Sequence, residues 1–236
     1  MAPDGTIGVS FVVPCYNEAL TVAKTVQEIG AAASAATLSS FEIVIVNDCS
    51  TDDTGKVVAA LAAGDPHIVP VSNAHNLGFG GAYKEGVKRA TGEFVIMIPG
   101  DNTHPADGIT PILRERGNAD IVVPFAGNPE VRSLFRRITS TGFTSLMNLL
   151  FGMSLPYYNG LVLHRTALLK KIEIETDSFA YQAEALVKLI RRGATYTTVA
   201  VDIRRDQGSS RAFRPENLYL VFKAITLLRW SLTWQQ

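Results

Sequence analysis

Carboxylates and guanidinium groups gather in three turn-rich stretches of this sequence. Asp48 follows an apolar run in Asn47-Asp48-Cys49-Ser50-Thr51-Asp52-Asp53-Thr54. A carboxylate there can accept hydrogen bonds from nucleobase N–H groups or ribose hydroxyls; alternatively, Asp48 and Asp52 cap the next helix. Asp101 lies just past another apolar run, in Gly100-Asp101-Asn102-Thr103-His104. A hard divalent cation bridging two phosphates takes oxygen ligands, and one or two protein carboxylates often suffice. The competing reading of Asp101 is a plain turn acid. The third stretch is Arg204-Arg205-Asp206-Gln207-Gly208-Ser209-Ser210-Arg211. Guanidinium forks bind phosphate and can stabilise a departing diphosphate, or the loop is simply basic and solvated. His104, before Pro105, reads more readily as a turn residue than as a catalyst.

The elements that must position these groups alternate in type. Apolar, β-branched runs at residues 7–13, 41–46, 67–71 and 93–98 read as strands. Between them, residues 18–29, 51–63 and 80–90 read as helices. This alternation implies βαβ units and a mainly parallel sheet. Ligands in such sheets bind beyond the carboxyl ends of the strands, where Tyr16-Asn17-Glu18, Asn47-Asp48 and Asp101-Asn102-Thr103-His104 fall. Further on, residues 120–123, 161–163 and 195–203 are expected as strands and 178–191 as an amphipathic helix. Residues 131–151 mix Arg132, Arg136 and Arg137 with many apolar side chains, and residues 216–234 are mostly apolar and helical. The glycine-rich stretch Asn76-Leu77-Gly78-Phe79-Gly80-Gly81 is not a dinucleotide fingerprint. GxGxxG counted from Gly78 would need glycine where Tyr83 stands, and it follows the third strand. It reads as a tight loop leading closely into a helix near the ligand.

Bulk composition narrows the classes. The 236 residues suffice for one α/β domain and a small appendage. Lys plus Arg balances Asp plus Glu at 22 each, so the whole molecule is no electrostatic trap for nucleic acid. Cys15 and Cys49 cannot build a disulfide framework, which fits a reducing, cytoplasmic setting. The first residues do not read as a signal peptide, and no apolar stretch reaches about 18 residues.

Five segments in order resemble family-2 glycosyltransferases. Val13-Pro14-Cys15-Tyr16-Asn17-Glu18 matches their VPxYNE opening, and Val46 to Thr54 looks like their VDDGSTDGT segment. NLGFGGAYKEGVKRATG, from Asn76, is similar to their N-x-G-x-G-x-A stretch. Gly100-Asp101-Asn102-Thr103-His104-Pro105 resembles the end of the DADLQHP segment of enzymes like dolichyl-phosphate mannosyltransferase. Arg205 to Arg211 fits RxxGxSK with arginine for lysine. The resemblance implies a GT-A, Rossmann-like fold over residues 1–211, with amphipathic C-terminal helices over 212–236. It implies a nucleotide-sugar donor and Mg²⁺ or Mn²⁺.

Carried over position by position, Pro14, Tyr16, Glu18 and Asp48 would hold the nucleoside. Gly100 and Asp101 would meet the donor diphosphate, with Asp101 and Thr103 on the metal. Arg205 and Arg211 would close over the phosphates, making Asp101 and Arg205 the expected catalytic pair. Arg136 and Ser140 match the spacing of residues that receive the acceptor phosphate in the dolichyl-phosphate enzymes. The chain also departs from the family. Pro99 replaces the first aspartate of DxD, and Thr103 replaces a glutamine that can assist the metal. Pro124-Phe125-Ala126 stands where GSR is expected. Residues 156–162 lack the acid and arginine of DxxSGFR. The donor half fits well and the acceptor half poorly.

The expectation is an inverting transfer of a hexose from a GDP- or UDP-sugar to a polyprenyl phosphate. An anionic phosphate needs no strong base, only positioning and a stabilised leaving group. A soluble hydroxyl acceptor would need a base, for which Glu184 and Asp101 are candidates. A third reading is a non-catalytic nucleotide-sugar-binding paralogue, motivated by Pro99. Residues 131–151 and 216–234 could lie in a bilayer interface, or pack on the domain or form a homodimer. The resemblance favours peripheral attachment to the cytoplasmic face of a membrane.

Overall fold

The computed structural model describes residues 8–177 and 180–203 together with Leu228. Among these residues, seven strands form one sheet in the order β3-β2-β1-β4-β6-β5-β7. They are β1 (Val9–Cys15), β2 (Phe41–Asn47), β3 (Ile68–Ser72), β4 (Phe94–Met97), β5 (Ile121–Ala126), β6 (Leu163–Arg165) and β7 (Tyr196–Val201). The helices are α1 (Val22–Ala35), α2 (Thr54–Gly64), α3 (Gly78–Arg89), α4 (Ala106–Arg114), α5 (Leu134–Phe151), α6 (Thr166–Leu169) and α7 (Tyr181–Arg191).

Every residue of β1 is buried, because helices cover both faces of a parallel sheet. The two-residue period of the strands then divides the core. Val12, Val44, Val46, Val95 and Met97 face a cluster with Tyr83 of α3, Met147 and Phe151 of α5 and Leu186 of α7. Phe11, Val13, Ile43, Ile45 and Ile96 face the opposite cluster, with Ile29 of α1, Val58 of α2 and Ile109 of α4. Leu228 also sits in the first cluster and is 5% exposed.

The sheet is mainly parallel, as the alternation implies: β1 pairs parallel with β2 and β4, β2 with β3, and β5 with β7. The difference is β6, antiparallel to both β4 and β5. Three residues carry too little periodicity to reveal direction, so pairing alone sets it.

Two helices begin later than their hydrophobic patterns. Residues after β1 turn before α1: the Glu18 carbonyl accepts the Thr21 and Val22 N–H groups, and its carboxylate accepts the Thr21 hydroxyl at 2.7 Å. Before α2, Asp52 accepts the Thr54 N–H at 2.9 Å.

Helix α5 is apolar on two sides. Met147 and Phe151 enter the core, whereas Leu134, Phe135, Ile138, Leu146 and Leu149 are exposed, Phe135 to 72% and Leu149 to 81%. Their spacing places these five on one side of the helix, opposite Met147.

Candidate functional site

Strand order reverses between β1 and β4, because β2 and β3 extend to one side of β1 and β4 to the other. That switch point opens a crevice beyond the strand ends, and the loops after β1, β2 and β4 meet there. Each loop turns through a left-handed, non-glycine residue: Asn17 at φ 59°, Cys49 at 60° and Asn102 at 56°. Asparagine tolerates that region better than most residues.

Reciprocal hydrogen bonds join the first two loops. Asn17 Oδ1 accepts the Thr51 N–H at 2.8 Å, while the Asn17 N–H donates to Ser50 Oγ at 3.0 Å. The Glu18 N–H donates to Thr54 Oγ1 at 2.8 Å, and the Ala19 N–H to Asp52 Oδ2 at 3.2 Å. Tyr16 is left 43% exposed at this junction, where its ring can stack on a base. Pro14 is the penultimate residue of β1, and its carbonyl accepts the Gly100 N–H at 3.2 Å. A Cβ on Gly100 would stand 2.5 Å from Cys15 Sγ, so the loop carrying Asp101 can lie this close only with glycine. Burial, then the charges of Glu18, Asp101 and Asp52, push the Cys15 thiol up. Carboxylates thus surround the end of β1, and Cys15 itself is inert.

Asp48 does not cap α2. It is 3% exposed, and its Oδ1 accepts from Asn73 Nδ2 at 2.7 Å and from the Leu77 N–H at 2.9 Å. The Leu77 N–H also reaches Oδ2 at 3.1 Å. Asp48 therefore holds together the segment between β3 and α3. Asp52 serves the start of α2.

Asp101 is exposed, and its Oδ1 accepts both the Thr103 N–H at 3.1 Å and the Thr103 hydroxyl at 2.7 Å. Thr103 therefore orients the carboxylate. No group of three or more His, Cys, Asp or Glu residues suited to a metal occurs among the described residues. Asp101 fits a cation that keeps most of its shell as water and phosphate oxygens. Beside it, burial and the Arg132 charge lower the His104 pKa against the opposing pull of Asp101.

Arg132 lies over the Tyr157 ring at 5.5 Å from its centroid. Burial, then the Arg132 charge, lower the pKa of Arg136, opposed by Tyr157. Ser133 caps α5 by accepting the Arg136 N–H. Two guanidinium groups therefore stand together at the positive end of an 18-residue helix, a setting that favours an anion. Ser140 follows one turn on from Arg136 and is partly buried. Sequence reading missed Tyr157, which lies in the segment lacking the expected arginine.

Glu184 is a structural anchor. It accepts the Glu175 N–H at 2.8 Å, the Thr176 N–H at 3.1 Å and Lys188 Nζ at 2.6 Å. With its oxygens so engaged, it is a poor general base. Arg205 and Arg211, expected over the phosphates, lie outside the described residues, as does residues 216–234 apart from Leu228. An open groove of about 850 Å³ between the β5–β7 edge and the second half of α5 contains none of the expected site residues.

The glycosyl transferase family 2 model matches residues 10–171. A prophage bactoprenol glucosyl transferase homolog of Escherichia coli (strain K12) is 33% identical over 144 residues, covering 59% of this chain and 46% of that protein. Bactoprenol glucosyl transferase of Shigella phage SfX is 32% identical over 144 residues, with the same two coverages. The chain thus spans about half the length of these relatives. Among solved structures, glucosyl-3-phosphoglycerate synthase from Mycobacterium tuberculosis in complex with Mn²⁺, uridine diphosphate and glucosyl-3-phosphoglycerate superposes with a TM-score of 0.70. Identity there is 17%, over 94% of this chain and 80% of that one. A mannosyltransferase from Pyrobaculum calidifontis in complex with GDP-Man and Mn²⁺ gives 0.65 at 21% identity, over 95% of this chain and 66% of that one. At such identities the likeness establishes the shared fold.

Proposed function

This chain belongs to glycosyl transferase family 2, and on that premise we propose that it transfers a hexose with inversion from a GDP- or UDP-sugar to a polyprenyl phosphate. One observation carries the reading. Asp101, oriented by Thr103, stands just past β4 at the switch point of the sheet, and Arg132 and Arg136 stand at the N-terminus of α5, where Arg132 lies over the Tyr157 ring. A donor diphosphate would lie at Asp101 and an acceptor phosphate at Arg132 and Arg136. The names of the bactoprenol relatives support a lipid phosphate as acceptor.

Tyr16 would stack on the base, with Asp48 accepting from it and Pro14 and Glu18 shaping the pocket. Gly100, seated against Cys15 at the end of β1, would hold the Asp101 loop in place beside the diphosphate. A divalent cation held by Asp101, itself oriented by Thr103, would neutralise charge on the diphosphate. Arg136 and Ser140, helped by Arg132, would place an acceptor oxygen behind the anomeric carbon. That oxygen forms the new bond as the carbon–diphosphate bond breaks, its electron pair leaving with the nucleoside diphosphate. Arg205 and Arg211 are proposed to receive that charge. Attack from the opposite face inverts the centre, and no general base is required.

The exposed apolar side of α5 supports peripheral membrane attachment. The helix carries arginines and no acid, which suits an anionic bilayer. Arg136 and Ser140 face away from the apolar stripe, toward the domain. Among the described residues, no helix is long and apolar enough to cross a membrane.

The test is transfer of labelled sugar from UDP-glucose or GDP-mannose to a short polyprenyl phosphate in vesicles, followed by solvent partition. Label in the organic phase supports the proposal. A soluble hydroxyl acceptor is the second reading, favoured because Pro124-Phe125-Ala126 forms part of β5 without an arginine; it would leave label in water. Donor binding without transfer to any acceptor would mark a paralogue that binds but does not turn over.

A further inference from the structure

Asp48 meets two donors before any ligand arrives, and their placement bears on which base it can take. A carboxylate only accepts, so the Asn73 side chain must present its NH₂ group. With Asn73 Nδ2 at 2.7 Å and the Leu77 N–H at 2.9 Å, both lone-pair directions of Oδ1 are filled. Among the described residues, Oδ2 carries only the longer share of the Leu77 N–H, at 3.1 Å. The arrangement is rigid. The Asn73 N–H is bonded to the Asn47 carbonyl at 3.0 Å, and the Asp48 N–H to the Cys15 carbonyl at 2.8 Å. Asn76 Nδ2 donates to the Asp48 carbonyl at 3.2 Å.

Building on the reading that Asp48 receives the nucleobase, we propose that Asn73 is a specificity-determining positioning residue that selects a uracil nucleotide over a guanine nucleotide. Uracil offers one donor, N3–H, between two carbonyl acceptors. Its N3–H meets Oδ2, and the second N–H of the Asn73 amide can reach a flanking carbonyl. Guanine offers two adjacent donors, N1–H and the 2-amino group, which together require both carboxylate oxygens. Its second donor finds Oδ1 already filled and loses its hydration without a partner, a costly outcome in a buried site. The 3% exposure of Asp48 leaves little room to rearrange.

Calorimetric titration of the unmodified protein with UDP, GDP and N3-methyl-UDP, each with Mn²⁺, tests this directly. UDP should bind roughly tenfold or more tightly than GDP, and N3-methylation should weaken binding by a similar factor. GDP binding as well as UDP, or N3-methyl-UDP matching UDP, would overturn the selection. Asp48→Asn separates the two levels of inference. If neither nucleotide binds the unmodified protein, or if Asp48→Asn leaves UDP binding unchanged, the placement of the base at Asp48 is itself wrong. Asn73→Ala should lower the UDP-to-GDP preference roughly tenfold. An unchanged preference in a folded variant would remove Asn73 from the role. Should that variant fail to fold, the three titrations of unmodified protein still decide the selection.

Discussion

The Asp177 carbonyl accepts the Gly80 N–H at 3.0 Å, and a Cβ on Gly80 would stand 2.8 Å from that same carbonyl. The glycine-rich stretch is therefore a seat for a second backbone segment. Lys84 fastens the same segment, reaching Asp177 Oδ1 at 2.6 Å and the Ile174 carbonyl at 3.0 Å. Gly80→Ala must displace backbone, and should destabilise the protein by about 1–3 kcal/mol. Urea unfolding checks this; an unchanged midpoint would mean the segment moves aside freely.

Glu184 should matter for stability before it matters for chemistry. Glu184→Ala strips partners from two backbone N–H groups and from Lys188, and should cost about 3 kcal/mol or more. Thermal melting together with turnover reads the outcome. Lost turnover at an unchanged melting temperature would restore Glu184 as a base.

His164 makes acid unfolding steeper. It is 0% exposed, its Nε2 lies 2.8 Å from Gln182 Nε2, and burial lowers its pKa to about 3. The unfolded chain binds a proton near pH 6.5, whereas the folded one stays neutral until about pH 3. This contribution is intact above the unfolded value and is lost as pH falls across that window, by about 1.4 kcal/mol per pH unit. In His164→Gln the stability between pH 6 and pH 4 should fall less steeply by about that slope. Parallel curves for the two proteins would contradict it.

Arg136→Ala should raise the KM for a polyprenyl phosphate and lower kcat/KM by roughly 10–100-fold, leaving nucleotide affinity within about twofold. Arg132→Lys keeps the charge but loses the planar contact with Tyr157, so a smaller loss is expected. Equal weakening of donor and acceptor binding would place the pair on the diphosphate instead.

Replacing Leu134, Phe135 and Ile138 with serine should weaken sedimentation with anionic vesicles by about tenfold or more, with little change in melting temperature. A melting temperature that falls sharply would show that these side chains pack against protein.

The position of the residues proposed for the donor was the more legible part of the sequence. Pro14, Tyr16, Glu18, Asp48, Gly100 and Asp101 all lie at or just past strand ends, where buried apolar runs meet turn residues. The surroundings of the residues proposed for the acceptor were harder to read. Arg132 meets Tyr157 across an 18-residue helix and its return loop, and no local pattern encodes that contact. Glu184 looked like a candidate base because its helix pattern is silent about residues 175 and 176, which bond to it.

By itself the sequence determined the alternation of strands and helices. A sheet buried on both faces demands β-branched apolar runs, and polar turns between them place the candidate site residues at one end. It also determined family membership through short motifs in order. Only the tertiary structure decided that β6 runs antiparallel, that Asp48 holds Asn73 and Leu77, and that the glycines seat Asp177. Each of these depends on which distant segments come within about 3 Å of one another, a relation that no spacing along the chain contains.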